Sequence, residues 1–377
     1  MKILMLNHEF PPVGGGASPV TFELCRQLVK MGHDVDVVTM HYDKLPRFEQ
    51  IEGFGVYRTP ALRKRPNICY THELATYVPG ALRRTLRLAR EKRYDVIHCH
   101  FMVPGAPLAY IVSKRADIPF LVTCHGSDVP GYNPDRFGVV HKMITPAWRF
   151  FARRTPFMTA PSESLKELIL RHHPGAYVTV VPNGIYPETF SPTEKKNSIL
   201  MCSRIFKRKG FQYVIEAIKS IQKKLDWEVN LVGEGPYLPE LRKIAQGSPT
   251  DVKFWGWLDK SDPRFVELFN TSSIFIFTSE AESFGMVIAE AMAAGNAIIA
   301  SNIPAHQEVL GDAGLFVEPA SAAGIRTALI KLIDNPALRT DLQKLARDRV
   351  CKYFAWDVIT RRYVDCYQQA IDGYKNR

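Results

Sequence analysis

The chain has 377 residues, 46% of them hydrophobic and 23% charged, and a net charge of +11. That length is too great for one ordinary core and predicts two domains of roughly 150–200 residues, while the composition is that of a soluble globular protein. No stretch offers about 18 uninterrupted apolar residues, which excludes a bilayer-spanning helix. Seven scattered cysteines, an odd number with no CxxC pair, fall mostly within apparent strands and helices and point to a reducing cytoplasm. The charge is uneven: residues 1–190 hold 24 Lys+Arg against 16 Asp+Glu, and residues 58–93 alone hold ten against two. The N-terminal excess therefore lies in one segment, which implies an anionic partner surface, either membrane or nucleic acid.

In chain order, the apolar run 3–6 is too short for a signal sequence and reads as part of a first strand, 2–7. A Gly-rich turn and a helix over about 18–31 follow, then a second strand at 33–40. Short apolar runs recur at 95–100, 119–125, 157–161 and 177–182, most separated by helical patterns. The theme repeats at 198–203, 227–233, 252–257, 273–279, 296–301 and 314–318. Such alternation predicts parallel sheets covered on both faces. The Pro-rich stretch 182–192 interrupts it and reads as an interdomain linker, and a last helix is expected over about 355–373. The expected architecture is α/β, with two doubly wound Rossmann-like halves, 1–190 and 191–354, facing across a cleft, and a terminal segment 355–377.

Several short motifs carry chemistry. Gly14, Gly15 and Gly16 lie between the first strand and the first helix, where backbone N–H groups can approach a diphosphate. The spacing is not GxGxxG, and a plain tight turn is the alternative. His125-Gly126-Ser127-Asp128 ends a strand, the place where open α/β sheets hold ligands, and its histidine can donate to or accept from a sugar. A capped loop histidine is the bland alternative. Arg204 and Lys209-Gly210 follow another strand and suit diphosphate oxygens; Lys207 and Arg208 between them read equally well as solvated loop charges. Glu282 and Glu290 flank SFGMVIA, which starts as a helix; unpaired N–H groups there and two strong acceptors suit a polyol.

Competing readings are weaker. Asp34-Val35-Asp36 looks like a metal-binding DxD but starts a strand whose alternate side chains face solvent. His98-Cys99-His100, with Cys124 and His125, invites zinc, yet strand alternation parts Cys99 from the two histidines and no second ligand pair has finger spacing. No metal is expected. A glycosidase pair must stand about 5–9 Å apart, whereas eight helical residues span about 12 Å; a loop position for Glu282 would shorten the gap. The diphosphate-binding elements favour a nucleotide-sugar donor instead.

Together these motifs resemble the large retaining glycosyltransferase family 4, of GT-B fold, over essentially the whole chain. ESFGMVIAE (282–290) fits its E-x7-E motif, VPNGI with Phe190 its interdomain segment, and CSRIFKRKGF its diphosphate-binding segment; LVGEGP and VTCHGSD also match. The resemblance implies that Glu282 binds donor-sugar hydroxyls, aided by the N–H groups of Phe284 and Gly285 and by Met286. It gives Glu290 the ribose, Arg204 and Lys209 the diphosphate and the charge on the leaving group, and His125 a sugar hydroxyl, with Asp128 in the same substrate-binding loop. Gly14, Gly15 and Gly16 would close over phosphates and acceptor, and Trp257 and Leu258 would line the base pocket. It further implies transfer with retention, no metal, no cofactor beyond the donor, and a C-terminal helix packed on the N-terminal domain. The third glycine departs from the family pattern.

The basic segment fits that resemblance. Leu82, Thr85, Leu86 and Ala89 follow helical spacing, with Arg83, Arg87 and Arg90 as a neighbouring stripe. Residues 148–154 mix aromatic and basic side chains likewise. Both segments are expected to contact anionic membrane, placing a cytoplasmic chain peripherally on the inner face of the plasma membrane, with a solvated helix face as the less favoured alternative. The expected activity moves a hexosyl unit from a UDP- or GDP-linked donor to a cell-envelope glycan or lipid-linked acceptor. A nucleotide-sugar epimerase or hydrolase of the same fold is the enzymatic alternative; a phosphorylase lacks its pyridoxal-phosphate lysine context. A membrane- or nucleic-acid-binding module is disfavoured by the nearly balanced charge of the C-terminal half, and no nucleic acid partner is expected.

Overall fold

A computed structural model describes residues 1–66, 69–132, 134–221 and 224–375. In chain order its elements are β1 (Lys2–Leu6), α1 (Ala17–Lys30), β2 (Asp34–Met40), β3 (Phe48–Ile51), β4 (Phe54–Thr59), α2 (Thr71–Lys92), β5 (Val96–His100), α3 (Met102–Ala116), β6 (Phe120–Thr123), α4 (Pro134–Ala152), β7 (Met158–Ala160), α5 (Glu163–His172) and β8 (Val178–Val180). There follow β9 (Lys196–Cys202), α6 (Phe211–Lys219), β10 (Glu228–Val232), α7 (Leu238–Ala245), β11 (Val252–Gly256), α8 (Pro263–Thr271), β12 (Ser272–Phe277), α9 (Met286–Ala293), β13 (Ala297–Ser301), α10 (Pro304–Leu310), β14 (Gly314–Val317), α11 (Ala322–Asp334), α12 (Pro336–Tyr353) and α13 (Trp356–Lys375).

The chain forms two compact units, Met1–Gly184 with Trp356–Arg377 and Ile185–Ala355. The first division falls after 184 rather than after 190. Ile185 N–H donates to Phe354 O at 2.8 Å, and Phe190 packs on the Phe269 ring at 5.6 Å, so residues 185–190 belong to the second core. Helix α13 belongs to the first unit, where Tyr367 OH meets His98 Nδ1 at 2.8 Å and Tyr374 OH donates to Asp117 at 2.8 Å. Residues 376 and 377 of the expected terminal segment lie outside the described residues, as do 67 and 68 of the basic segment 58–93.

The first sheet runs β3-β4-β2-β1-β5-β6-β7-β8 and the second β11-β10-β9-β12-β13-β14. Every pairing is parallel except β3 with β4, a hairpin turned by Glu52 and Gly53 at positive φ. Strands such as β12 and β13 are buried along their whole length, as expected of runs covered by helices on both faces. In each sheet the chain winds outward from two adjacent strands, β1 and β5 in the first and β9 and β12 in the second. The carboxyl ends at such a reversal leave a crevice into which following loops project. The loops after β1, β5 and β6, and those after β9 and β12, are therefore the places to look for chemistry.

Candidate functional site

In the second unit the loop after β9 is clamped by backbone. Gly233 and Gly235 lie so near it that a Cβ at either would stand 1.9 Å from Ser203 O or 2.2 Å from Ile205 O. Ile205 N–H donates to Glu234 O at 2.8 Å, which fixes the segment that carries exposed Arg204. Gly210, at φ +75°, would put a Cβ 2.3 Å from Thr278 O, and Thr278 Oγ1 donates to Gly210 O at 3.2 Å. The Lys209 loop is thereby held against the loop after β12. There the Lys209 ammonium pairs with Glu282 Oε1. Burial pushes the Glu282 carboxyl up, but Lys209, with His306 and Ser279, more than offsets this and holds it below the usual carboxylate range.

Glu282 lies in the loop, as a short approach would need, and α9 starts after Gly285, whose φ of +101° favours glycine. Phe284 is buried with its ring edge-on to Phe354, and Met286 is half-buried at the helix start. Glu290 is buried inside α9 and pairs with the Lys260 ammonium. Trp257 is 53% exposed, whereas Leu258 is a core residue.

Two groups here escape motif reading. Lys260 is a lone loop lysine three residues beyond Trp257. His306, on α10, is fully buried beside Gly285. Ser301 donates its hydroxyl proton to Ser279 O, so Ser301 Oγ and O are both acceptors for His306 Nδ1, at 3.0 and 3.1 Å. His306 Nδ1 must carry the proton, leaving the buried Nε2 a lone pair with no hydrogen-bond partner among the described residues. Burial, against the pull of Glu282, lowers its pKa to about 4.

In the first unit, Asp128 is buried and organises the loop after β6. It accepts from His125 N–H at 2.9 Å, Gly126 N–H at 3.1 Å and Met102 N–H at 2.7 Å. Both carboxylate oxygens serve the backbone, so Asp128 shapes the loop after β6. Burial pushes its carboxyl up despite those bonds. His125 is half-buried, with Nε2 2.9 Å from His100 Nδ1. Burial lowers the pKa of His125, His98 and His8 each to about 3. In the glycine loop, Gly15 N–H donates to Glu9 Oε2 at 2.8 Å and Gly14 N–H to Pro66 O at 2.7 Å. Two of the N–H groups expected to face a diphosphate thus have protein acceptors, while Gly16 faces open space.

Against known proteins, the profile Glycosyltransferase Family 4 matches residues 14–189 and Glycosyl transferases group 1 matches residues 186–349. The chain belongs to the family 4 type of GT-B glycosyltransferases. It is 25% identical to the N-acetyl-alpha-D-glucosaminyl L-malate synthase of Bacillus anthracis, over 100% of this chain and 99% of that one. It is 26% identical to the phosphatidyl-myo-inositol mannosyltransferase of Mycolicibacterium smegmatis, over 98% and 94%. Among solved structures, the sucrose-phosphate synthase of Thermosynechococcus elongatus superposes with a TM-score of 0.80 at 21% identity, over 99% and 100% of the two chains, and so shares the fold.

The competing sites in this glycosyltransferase have structural explanations. Asp36 Oδ2 is taken by Lys92 Nζ at 2.8 Å and Tyr94 OH at 2.6 Å. Among the described residues no group of three or more His, Cys, Asp or Glu is placed to hold a metal ion. On α2, Arg83, Arg87 and Arg90 are exposed, while Arg84 lies over the Tyr57 ring at 5.6 Å. Segment 148–154 is the end of α4: Trp148 is fully buried, and Arg154 donates to Phe150 O at 3.0 Å, as a cation near a helix C-terminus does. Among the described residues no helix is long and apolar enough to cross a membrane.

Proposed function

We propose that this glycosyltransferase moves a hexosyl unit, with retention and without a metal, from a UDP- or GDP-linked sugar to a cell-envelope glycan or lipid-linked acceptor. The observation that carries the reading is the Lys209–Glu282 pair at the glycine start of α9. An ammonium suited to diphosphate and an ionised carboxylate suited to hydroxyls meet where helix N–H groups lack intrahelical partners. Lys209 and exposed Arg204 neutralise the leaving diphosphate, the electrostatic share of the catalysis. Glu282 accepts from sugar hydroxyls and Glu290 from the ribose. Both carboxylates are paired with lysines, which suits binding rather than proton transfer, so the departing diphosphate takes the acceptor proton. Gly16 and its neighbours contact phosphate and acceptor, Trp257 lies along the base, and His125 receives a sugar hydroxyl.

The test is a thermal-shift screen of UDP-, GDP- and ADP-sugars, repeated with Glu282→Ala and Arg204→Ala. One donor should raise the Tm of the native chain and neither variant; a specific shift that survives both substitutions removes the assignment. The anomeric configuration of the product, read by NMR, decides retention, and undiminished turnover in EDTA decides metal independence. The exposed arginine stripe of α2, with the lipid named for the mycobacterial relative, supports a peripheral membrane contact. Charge reversal at Arg83, Arg87 and Arg90 should abolish salt-sensitive binding to anionic vesicles, and native protein that ignores such vesicles at low salt removes that part.

A further inference from the structure

A file of histidines lies beneath the loop after β6. His98 and His100 project from the same face of β5, their rings 4.3 Å apart, and His125 stacks on His100 at 5.1 Å. Only His125 of these three is half-exposed; His98 and His100 are fully buried. Phe101 packs on His125 at 4.8 Å and Asp128 holds the His125 backbone, so the ring has a defined place. Burial keeps all three imidazoles neutral at ordinary pH, with His100 well below its usual value.

Proton positions follow from the partners. His100 Nε2 lies 3.1 Å from Met5 Sδ. A thioether offers lone pairs and no proton, so the contact is attractive only if Nε2 carries the hydrogen. A neutral His100 then has a bare lone pair on Nδ1, which stands 2.9 Å from His125 Nε2. His125 Nε2 must be the donor of that bond, and its own Nδ1 is left unprotonated.

We propose that Met5 and His100 lock His125 as the Nε2–H tautomer, making His100 a positioning residue that turns His125 into a hydrogen-bond acceptor for a sugar hydroxyl. The inference rests on the sugar-handling role proposed above for His125. It adds a selectivity: an acceptor lone pair welcomes a hydroxyl and repels a carboxylate or any other proton-free oxygen. A hexose with a hydroxymethyl group at this point is bound, and the matching uronic acid is rejected.

Two measurements test this. In the full chain labelled with 15N, long-range imidazole correlations should show His125 protonated at Nε2 and bare at Nδ1; the opposite tautomer overturns the proposal. Affinities are then compared for UDP-glucose against UDP-glucuronate and for GDP-mannose against GDP-mannuronate. Native protein should prefer the neutral sugar of the pair it binds by about tenfold or more, the scale of one hydrogen bond lost with an acceptor left unpaired. His100→Phe keeps the ring but not the acceptor and should erase most of that preference, leaving binding of the free nucleoside diphosphate unchanged. His100→Asn, whose amide oxygen can take the place of Nδ1, should restore it. A folded His100→Phe with undiminished preference overturns the proposal. If native protein binds neither sugar of either pair, the proposed function fails, and the tautomer is still decided by the 15N spectrum without any ligand.

Discussion

The two units carry similar sheets and place their chemistry at equivalent reversals of strand order, yet they solve opposite electrostatic problems. In the second, ionised side chains neutralise one another, Lys209 with Glu282 and Lys260 with Glu290. In the first, burial keeps His8, His98, His100 and His125 neutral, and the carboxylates of Glu9 and Asp128 are engaged by backbone N–H groups. A paired cation and carboxylate can each be recruited by a charged ligand through exchange of partner. A neutral hydrogen-bonded network instead offers direction and little charge. The difference gives the second unit exchangeable charges and the first unit directed, uncharged hydrogen bonds.

The largest way to break this contrast is to remove one half of an ion pair. Lys209→Ala should lower kcat/KM by about 10²–10³, the scale of a lost transition-state charge contact, and lower Tm as well, because it leaves the Glu282 carboxyl buried without its cation; a loss of only a few fold in kcat/KM would mean that the second unit does not work by charge. Next is the support beneath it. Gly210→Ala forces a left-handed φ and a Cβ against Thr278 O, and should destabilise the chain by about 2–4 kcal/mol. Denaturant titration checks this, and an unchanged midpoint would show that the loop can move away from β12. A smaller effect is expected at Glu290→Gln, about tenfold in donor affinity, with equal loss for the free nucleoside diphosphate and the nucleotide sugar because the ribose is common to both.

The most graded test is pH. Below about 6.5 the unfolded chain protonates His8, His98 and His125, which the folded chain leaves neutral until pH near 3. Folding stability from these groups is complete above pH 6.5 and is lost as pH falls toward 3. Asp128, raised in the folded state, works in the opposite sense, its contribution being lost as pH rises through its raised value. In the second unit His306 follows the histidine pattern, down to about 4, and the contribution of Glu282 disappears only as pH falls through its lowered value. Hydrogen exchange at pH 7 and pH 5 should therefore show β5 and β6 losing protection before β12 and β13. Simultaneous loss would remove the contrast.

Much of this was legible in the sequence for a local reason. Strands buried on both faces are runs of apolar residues between turn signals, so β9 to β14 were found within a few residues. The hairpin β3–β4 was missed because FEQI and FGVYRT are short and mixed, and their Glu-Gly turn is not one of the strong hairpin dipeptides. Glu282, Lys209, Arg204 and His125 stand out as candidates in the sequence because each sits beside a strand end with a glycine nearby. Lys260 and His306 were not, because nothing local marks a lone lysine or a buried histidine until a partner from another element stands beside it.

The sequence by itself determined the alternation of strand and helix, the family, and which loops carry ionisable groups, since all of these depend on residues near one another in the chain. Only the tertiary structure decided which charges neutralise each other, that Asp128 serves the backbone, that Trp148 points into the core, and which partners His100, His125 and His306 meet. Those outcomes depend on groups distant in sequence meeting at hydrogen-bond distance in a medium that excludes water. His100 and Met5 lie 95 residues apart and Lys209 and Glu282 lie 73 apart, and no local pattern encodes either meeting.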